Sequence, residues 1–237
     1  MSTSTSIGIT ERLGEISSAH AGIRAAAEQM TEADARLAVH LPGWTRGHIL
    51  IHLADLSRAF ARQARYALKG ETIEVYDGGR ETRNRSIEAN HGRPVEWLRE
   101  QLDEGLTALE QAWDGLDEDD WQRACAYRNG PLLGTQLAWW RETELHHVDL
   151  GTGYRSEQWS MALSAHVVDF LQPRLPKDRA VRIVSQDTDD SWESGDGAGV
   201  TVRGDIRTLA AWISGRPSTT TPTVDDDAVA PELGAWP

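Results

Sequence analysis

The chain has 237 residues, a net charge of −13 at pH 7 and one cysteine, Cys125. The negative charge argues against a nucleic-acid or anionic-membrane partner, and one cysteine excludes both an intrachain disulfide and a metal site built on cysteines. No run approaches the roughly eighteen apolar residues of a membrane span, and the first residues resemble no signal peptide. We therefore expect a cytoplasmic protein.

Apolar residues at helical spacing predict five helical segments in the first 150 residues, with turn-rich connections between them. Thr45 is a plausible N-cap, Gly70 suits the position after a helix, and Pro94 suits a first turn. The segments cover residues 8–30, 45–69, 81–90, 94–113 and 135–150. The four long segments predict a four-helix bundle, a fold that places metal sites between facing helices.

The pattern changes after about residue 155. One more helix is expected at 159–172, strands at 180–184 and 200–202, and a helix at 205–214. The tail from Pro217 is expected to be extended. The sequence therefore predicts an α+β protein with a four-helix metal-binding domain at 1–154 and a smaller α+β domain at 155–237.

Glu142 and His146 stand four residues apart in the last long helix of the first part. Four residues turn a helix about 40° beyond a full circle, so both side chains leave the same face. A carboxylate and an imidazole are two of the three protein ligands that a catalytic zinc typically keeps. His52 is the candidate third ligand, although His48 lies one turn before it and could pair with it instead. Spacing alone leaves a metal site and ordinary hydrogen-bonded histidines equally open.

Several other residues could contribute to a site around Glu142 and His146. His147 points about 100° away from His146, so the two are not expected to bind one ion. Asp149 lies on an adjacent face and could accept a hydrogen bond from a ligand histidine. Arg83, Arg85 and Arg216 are candidate carboxylate clamps, because guanidinium binds carboxylate through two parallel hydrogen bonds.

Two motifs then resemble the mycothiol-dependent maleylpyruvate isomerase family: LPGWTRGHILIHL at 41–53 and RETELHHVDLG at 141–151. Weaker similarities lie at 82–88 and 210–216, so the resemblance spans nearly the whole chain. It implies an N-terminal four-helix domain of the DinB-like type and a smaller α+β C-terminal domain resembling sterol-carrier folds.

The same resemblance implies a ligand set and a reaction. Zinc, or another divalent metal, would be held by His52, Glu142 and His146, and Arg216 would be the catalytic arginine, with Arg83 a weaker candidate for the same anion site. Mycothiol would supply the thiol, which explains how Cys125 can be irrelevant. The expected reaction is the cis–trans isomerisation of maleylpyruvate to fumarylpyruvate, so the expected partners are a small thiol and a small anionic substrate.

Two alternatives remain open at this stage. A mycothiol S-transferase acting on another electrophile would share the fold and the metal ligands, since function depends on the other groups of a site. A non-catalytic binding protein, in which the histidines and the glutamate are structural, is the third hypothesis. The number of arginines that converge on the site discriminates the first two, because maleylpyruvate carries two carboxylates.

Overall fold

The computed structural model describes residues 6–196, 199–225 and 229–237. Its α-helices alternate long segments with short ones that fill the connections. They are α1 (Ile9–Glu28), α2 (Glu32–Ala35), α3 (Arg46–Ala67), α4 (Gly79–Asn90), α5 (Val95–Trp113), α6 (Glu118–Trp121), α7 (Leu133–Asp149), α8 (Met161–Leu171) and α9 (Ile206–Ser214). None of the described helices is long and apolar enough to cross a membrane.

The strands are β1 (Ala180–Ser185), β2 (Ser191–Ser194), β3 (Gly199–Gly204) and β4 (Thr223–Val224). They form one sheet in the order β2-β1-β3-β4. β1 runs antiparallel to β2 and parallel to β3, and β3 runs antiparallel to β4. Val181, Ile183 and Val202 are buried. Both central strands therefore carry buried apolar residues.

The chain divides into two compact units. The helical unit is Leu13–Thr152, and the mixed unit is Gly153–Pro237 together with the residues up to Arg12. The α+β fold class, with helices first and a small sheet afterwards, is confirmed. The domain boundaries at residue 154 stay a prediction.

α3 begins where its N-cap residue can be satisfied by a side chain one turn ahead. Thr45 has an extended backbone, and its N–H donates to Nδ1 of His48 over 3.0 Å. The helix ends at Leu68, after which Gly70 takes a positive φ of 74° that favours glycine. Gly105 of α5 lets the two helices approach closely, because a Cβ there would lie 2.4 Å from Oγ of Ser57.

α7 is buried on nearly all sides, polar residues included. Arg141, His146 and Asp149 are at most 8% exposed. Buried polar side chains cost free energy unless they are paired with one another or bound to a ligand. The density of such groups on α7 marks it as the helix that carries the site.

The predicted long helices agree with the structure, and two short strands were missed. β2 lies inside the segment that the sequence presented as a polar turn, because Trp192 is its single buried residue and the strand is at the edge of the sheet. β4 occupies two residues of the tail that was expected to be extended only. Strands of this length are stabilised by pairing with a neighbour, which no local pattern reveals.

Candidate functional site

His52 of α3 meets Glu142 and His146 of α7 inside the helical unit. Nε2 of His52 lies 2.9 Å from Oε2 of Glu142, and Nε2 of His146 lies 3.3 Å from the same oxygen. The two imidazole rings have centroids 4.7 Å apart and planes 82° apart. The structure thus brings together the three residues that sequence spacing and resemblance selected.

The histidines of the cluster are buried, and its glutamate is partly exposed. The side chains of His52 and His146 are 5% and 10% exposed, whereas that of Glu142 is 28% exposed. Glu142 is therefore the most accessible residue of the cluster.

Burial determines the protonation state of His52. Hydrogen bonds from the two histidines determine that of Glu142. Burial lowers the pKa of His52 to about 4, so the imidazole is neutral at physiological pH. Burial opposes ionisation of Glu142, but hydrogen bonds from His146 and His52 hold its pKa well below its usual range. Together they provide a neutral nitrogen and a negative oxygen, the protonation states that metal ligands require.

Asp149 orients His146 from behind. Nδ1 of His146 lies 2.8 Å from Oδ2 of Asp149, and Nε2 of His40 lies 3.2 Å from Oδ1 of the same carboxylate. Although burial favours the neutral imidazole, the bonds to Asp149 and Glu142 raise the pKa of His146. The predicted role of Asp149 matches this geometry, since a metal-ligating histidine usually donates its other N–H to a carboxylate.

Trp44 packs against both histidines of the cluster and was not among the candidates from the sequence. Its ring stacks on that of His146 at 6.1 Å and 15°, and meets His52 edge-on at 5.6 Å. An indole on this side fixes the planes of both imidazoles. Its place in the LPGWTRGH motif, just before the first histidine, was the available signal.

Arg83 of α4 contacts His52 at the ring nitrogen that does not face Glu142. Its Nη2 donates to Nδ1 of His52 over 2.7 Å, and its Nη1 donates to Asn84. Tyr76 lies close enough that the charges of Arg83 and Glu142 both affect its pKa. The candidate anion-binding arginine of the sequence is therefore next to the candidate metal ligands.

A second group of potential metal ligands consists of His48, Glu88 and His91. His48 lies one turn of α3 before His52. The rings of His48 and His91 stack at 3.6 Å with planes only 18° apart. Imidazole nitrogens bind metal in the ring plane, so two parallel stacked rings direct their lone pairs side by side and not toward one ion. Since Nδ1 of His48 also accepts the Thr45 N–H, this group caps and packs α3. The alternative pairing of His48 with His52 is not the one that the structure forms.

The other sequence candidates make contacts of their own. Arg216 belongs to the mixed unit, where its guanidinium lies 5.1 Å from the Trp236 ring centroid and donates to the Ser214 carbonyl. Arg85 is exposed and binds Thr82. Cys125 is buried, and burial raises the pKa of its thiol, as expected of an unreactive cysteine.

The three residues of the cluster fit a divalent metal. Their ligand atoms lie within 4.8 Å of one another, and the set of two imidazoles and one carboxylate suits zinc with an open position for a further ligand. The supporting Asp149 contact and the low pKa of His52 agree with that use.

Comparisons with known proteins bear on the family and the fold of the chain. A family model described as the mycothiol maleylpyruvate isomerase N-terminal domain matches residues 16–151, more than half of the chain. Two crystal structures, of a mycothiol-dependent maleylpyruvate isomerase and of a mutant of it, align with a TM-score of 0.86 at 22% and 21% identity. Each alignment covers 98% of this chain and 99% of the other, so the fold extends over both units.

A search of curated proteins returns no match. The family model nevertheless spans both histidine motifs that carried the sequence resemblance, and the prediction of an enzyme of this thiol-dependent family is confirmed with it. The chain therefore belongs to the mycothiol maleylpyruvate isomerase family.

Proposed function

We propose that the protein is a metal- and mycothiol-dependent cis–trans isomerase that converts maleylpyruvate to fumarylpyruvate. The observation that carries the proposal is the cluster of His52, Glu142 and His146 in the part of the chain that matches the family model. Arg83 beside the cluster adds a cation where an anionic substrate would need one.

His52, Glu142 and His146 would hold the divalent ion, with Asp149 fixing the ring of His146. When bound, the ion would lower the pKa of the mycothiol thiol and favour its reactive thiolate. The protein then needs no cysteine of its own in the reaction. This agrees with the buried position of Cys125.

The proposed reaction has three steps. The mycothiol thiolate forms a C–S bond with one carbon of the cis double bond, and the electron pair of that bond moves into the conjugated carbonyl to give an enolate. The former double bond is now single and rotates. The enolate electrons return, the C–S bond breaks, and the thiolate leaves from the trans product. No net oxidation occurs and the thiol is regenerated.

Two arginines are proposed to stabilise the anions of this sequence. Arg83 would hold a substrate carboxylate beside the cluster, and Arg216 would stabilise the enolate or hold the second carboxylate. Replacing either by alanine should lower kcat/KM by roughly 10²–10³, the usual loss when one oxyanion donor is removed. Zinc content should not change in Arg216→Ala, because Arg216 is not a ligand.

The deciding experiment follows the absorbance of maleylpyruvate with zinc-loaded protein, with and without mycothiol. Conversion that requires mycothiol and is lost in Glu142→Gln is the expected result. Glu96→Gln is the matched control, because that glutamate side chain is 83% exposed on α5. Absence of mycothiol-dependent conversion by a zinc-loaded protein would rule out the isomerase.

A mycothiol S-transferase is the second candidate. The observation that favours it is the contact of Arg83 with His52. One such cation suffices for an electrophile with a single carboxylate. Consumption of mycothiol with formation of a stable thioether on such an electrophile, without isomerisation of maleylpyruvate, would support it.

A further inference from the structure

The ring planes of His52 and His146 are not fixed by the rotamers of these two side chains. The torsion that turns an imidazole about its Cβ–Cγ bond is broad and has no narrow staggered wells. A metal ion binds an imidazole nitrogen along its lone pair, which lies in the plane of the ring. Neighbouring groups must therefore fix both planes before the two nitrogens can face one ion.

Each of the two rings is held at one edge by a hydrogen bond. Nδ1 of His146 donates to Oδ2 of Asp149 over 2.8 Å, and Nδ1 of His52 accepts from Nη2 of Arg83 over 2.7 Å. A hydrogen bond tolerates deviations of about 30° from linearity, so it resists tilting of a ring only weakly. A contact with the ring itself is needed to fix its plane.

The indole of Trp44 supplies this contact for both histidines. Its plane is 15° from that of His146 with centroids 6.1 Å apart, and 67° from that of His52 with centroids 5.6 Å apart. Offset-stacked and edge-to-face arrangements are the ones that aromatic pairs prefer. Because the two imidazole planes are 82° apart, one indole can stack on the first ring and stand edge-on to the second.

The position of Trp44 is determined by a tight turn in front of α3. The Trp44 N–H donates to the carbonyl of Leu41 over 3.1 Å, with Pro42 and Gly43 as the two central residues. Gly43 has a φ of 80°, as the third position of a type II turn requires, and proline suits the second position. The indole also stacks on the ring of His48 at 5.9 Å and 23°. The sequence Leu-Pro-Gly-Trp thus forms a firm support for the indole.

We propose that Trp44 is a positioning residue shared by both histidine ligands, and that its aromatic face is required for tight binding of the metal ion. Trp44 supplies no ligand atom, and it acts through the ring planes of His52 and His146. The inference rests on the proposed function for the presence of a divalent ion at these histidines and Glu142.

The test compares the wild type with Trp44→Leu and Trp44→Phe by two measurements that involve no substrate. Competition with a chromogenic chelator at pH 7 gives the zinc affinity, and the visible absorption of the cobalt(II)-loaded protein reports the ligand geometry. Leucine keeps an apolar side chain without a ring, whereas phenylalanine keeps an aromatic face. Trp97→Leu is the matched control, because Trp97 is also half-buried in the helical unit and packs against Arg93 at 5.0 Å.

We expect Trp44→Leu to weaken zinc binding by at least about ten-fold, the lower end of the effect of removing a group that orients a ligand histidine. Its cobalt bands should shift, because the two imidazoles no longer keep fixed planes. Trp44→Phe should retain most of the affinity. Trp97→Leu should match the wild type in zinc affinity and in cobalt spectrum.

A pair of glycine variants tests the position of the indole without removing it. Nothing lies within 4 Å of a Cβ at Gly43 or at Gly70, and their φ values are 80° and 74°. Gly43→Ala and Gly70→Ala should therefore strain the backbone alike, but only Gly43→Ala should weaken zinc binding. Should Trp44→Leu fail to fold, this pair carries the test, and equal zinc affinities of the two variants overturn the inference.

Other results would also overturn it. They are an unchanged zinc affinity and cobalt spectrum in Trp44→Leu, equal losses in Trp44→Leu and Trp44→Phe, and a wild type that binds neither ion. The failure of the proposed function is distinguishable. A zinc-bound wild type that isomerises nothing contradicts the isomerase, while a loss of zinc affinity confined to Trp44→Leu still supports the positioning role.

Discussion

At the residue scale, the site is built from groups whose protonation is fixed by their neighbours. His52 is kept neutral by burial, and Glu142 is kept ionised by the two imidazoles that bind it. His146 is the exception, because its acidic neighbours raise its pKa and make a proton a competitor for its nitrogen. The cluster is therefore prepared for a cation, and Asp149 contributes both orientation and charge to it.

Replacement of Asp149 tests this role. Asp149→Asn should weaken zinc binding by about 10- to 100-fold, the usual effect of removing a carboxylate behind a ligand histidine. Competition with a chromogenic chelator at pH 7 measures the affinity. Glu96→Gln, on an exposed part of α5, should leave it unchanged. An unaltered zinc affinity in Asp149→Asn would mean that the carboxylate only packs the interior of α7.

At the element scale, α3 depends on the absence of a side chain on its neighbour. A Cβ at Gly105 of α5 would lie 2.8 Å from the carbonyl oxygen of Ala54 and 3.1 Å from its Cα, so the two helices would have to separate. Because His52 lies on α3, this contact also positions the candidate metal centre.

Gly105→Ala should therefore destabilise the protein by about 1–3 kcal/mol, the usual cost of overpacking. Gly14→Ala is the matched control, since nothing lies within 4 Å of a Cβ at that position of α1. This second variant should be neutral or slightly stabilising. Urea unfolding measures both, and equal midpoints for the two variants would contradict the close approach.

The contact of α1 with α5 should make stability depend on pH. Oε1 of Glu110 lies 2.7 Å from His20 and 2.7 Å from Arg24, and these bonds lower its pKa to about 2. A carboxylate with a lowered pKa stabilises the fold above its unfolded pKa. That stability is lost as pH falls from about 4.5 toward about 2.

Glu110→Gln should accordingly lower the melting temperature at pH 7, and the gap from wild type should shrink as pH falls through this window. The reason is that protonated Glu110 and glutamine carry no charge. Glu104→Gln, which alters an exposed carboxylate on the same helix, should show a smaller gap. A gap that is constant from pH 7 to pH 2.5 would exclude the ionised contact.

At the scale of the whole molecule, a metal bound to the folded chain and not to the unfolded chain must raise its stability. Zinc at 100 times its dissociation constant should add about 2.7 kcal/mol. In a protein of this size that corresponds to a rise of about 2–4 °C in melting temperature for each kcal/mol. His52→Ala should abolish the rise.

His91→Ala is the control for this experiment, because its ring belongs to the stacked pair that caps α3. That variant should keep the full zinc-dependent rise. Loss of the rise in His91→Ala, with its retention in His52→Ala, would assign the metal to the other group of ligands. Scanning calorimetry with and without a chelator measures both variants.

Local patterns in the sequence determined the long helices, because apolar spacing and caps such as Thr45 act within a few residues. They also determined that Glu142 and His146 share a face, since helix geometry requires it. The family resemblance then selected His52 over His48. The structure supports that selection physically, because His48 is occupied by the Thr45 N–H and by His91.

Only the tertiary structure could bring α3 to α7 and place Trp44 and Arg83 around the cluster. These contacts join residues far apart in the chain, and no spacing rule encodes them. The short strand around Trp192 was missed for the same reason, since it exists through pairing with β1. The sequence thus determined the chemical groups and their helical faces, and the packing of the helices decided which of those groups act together.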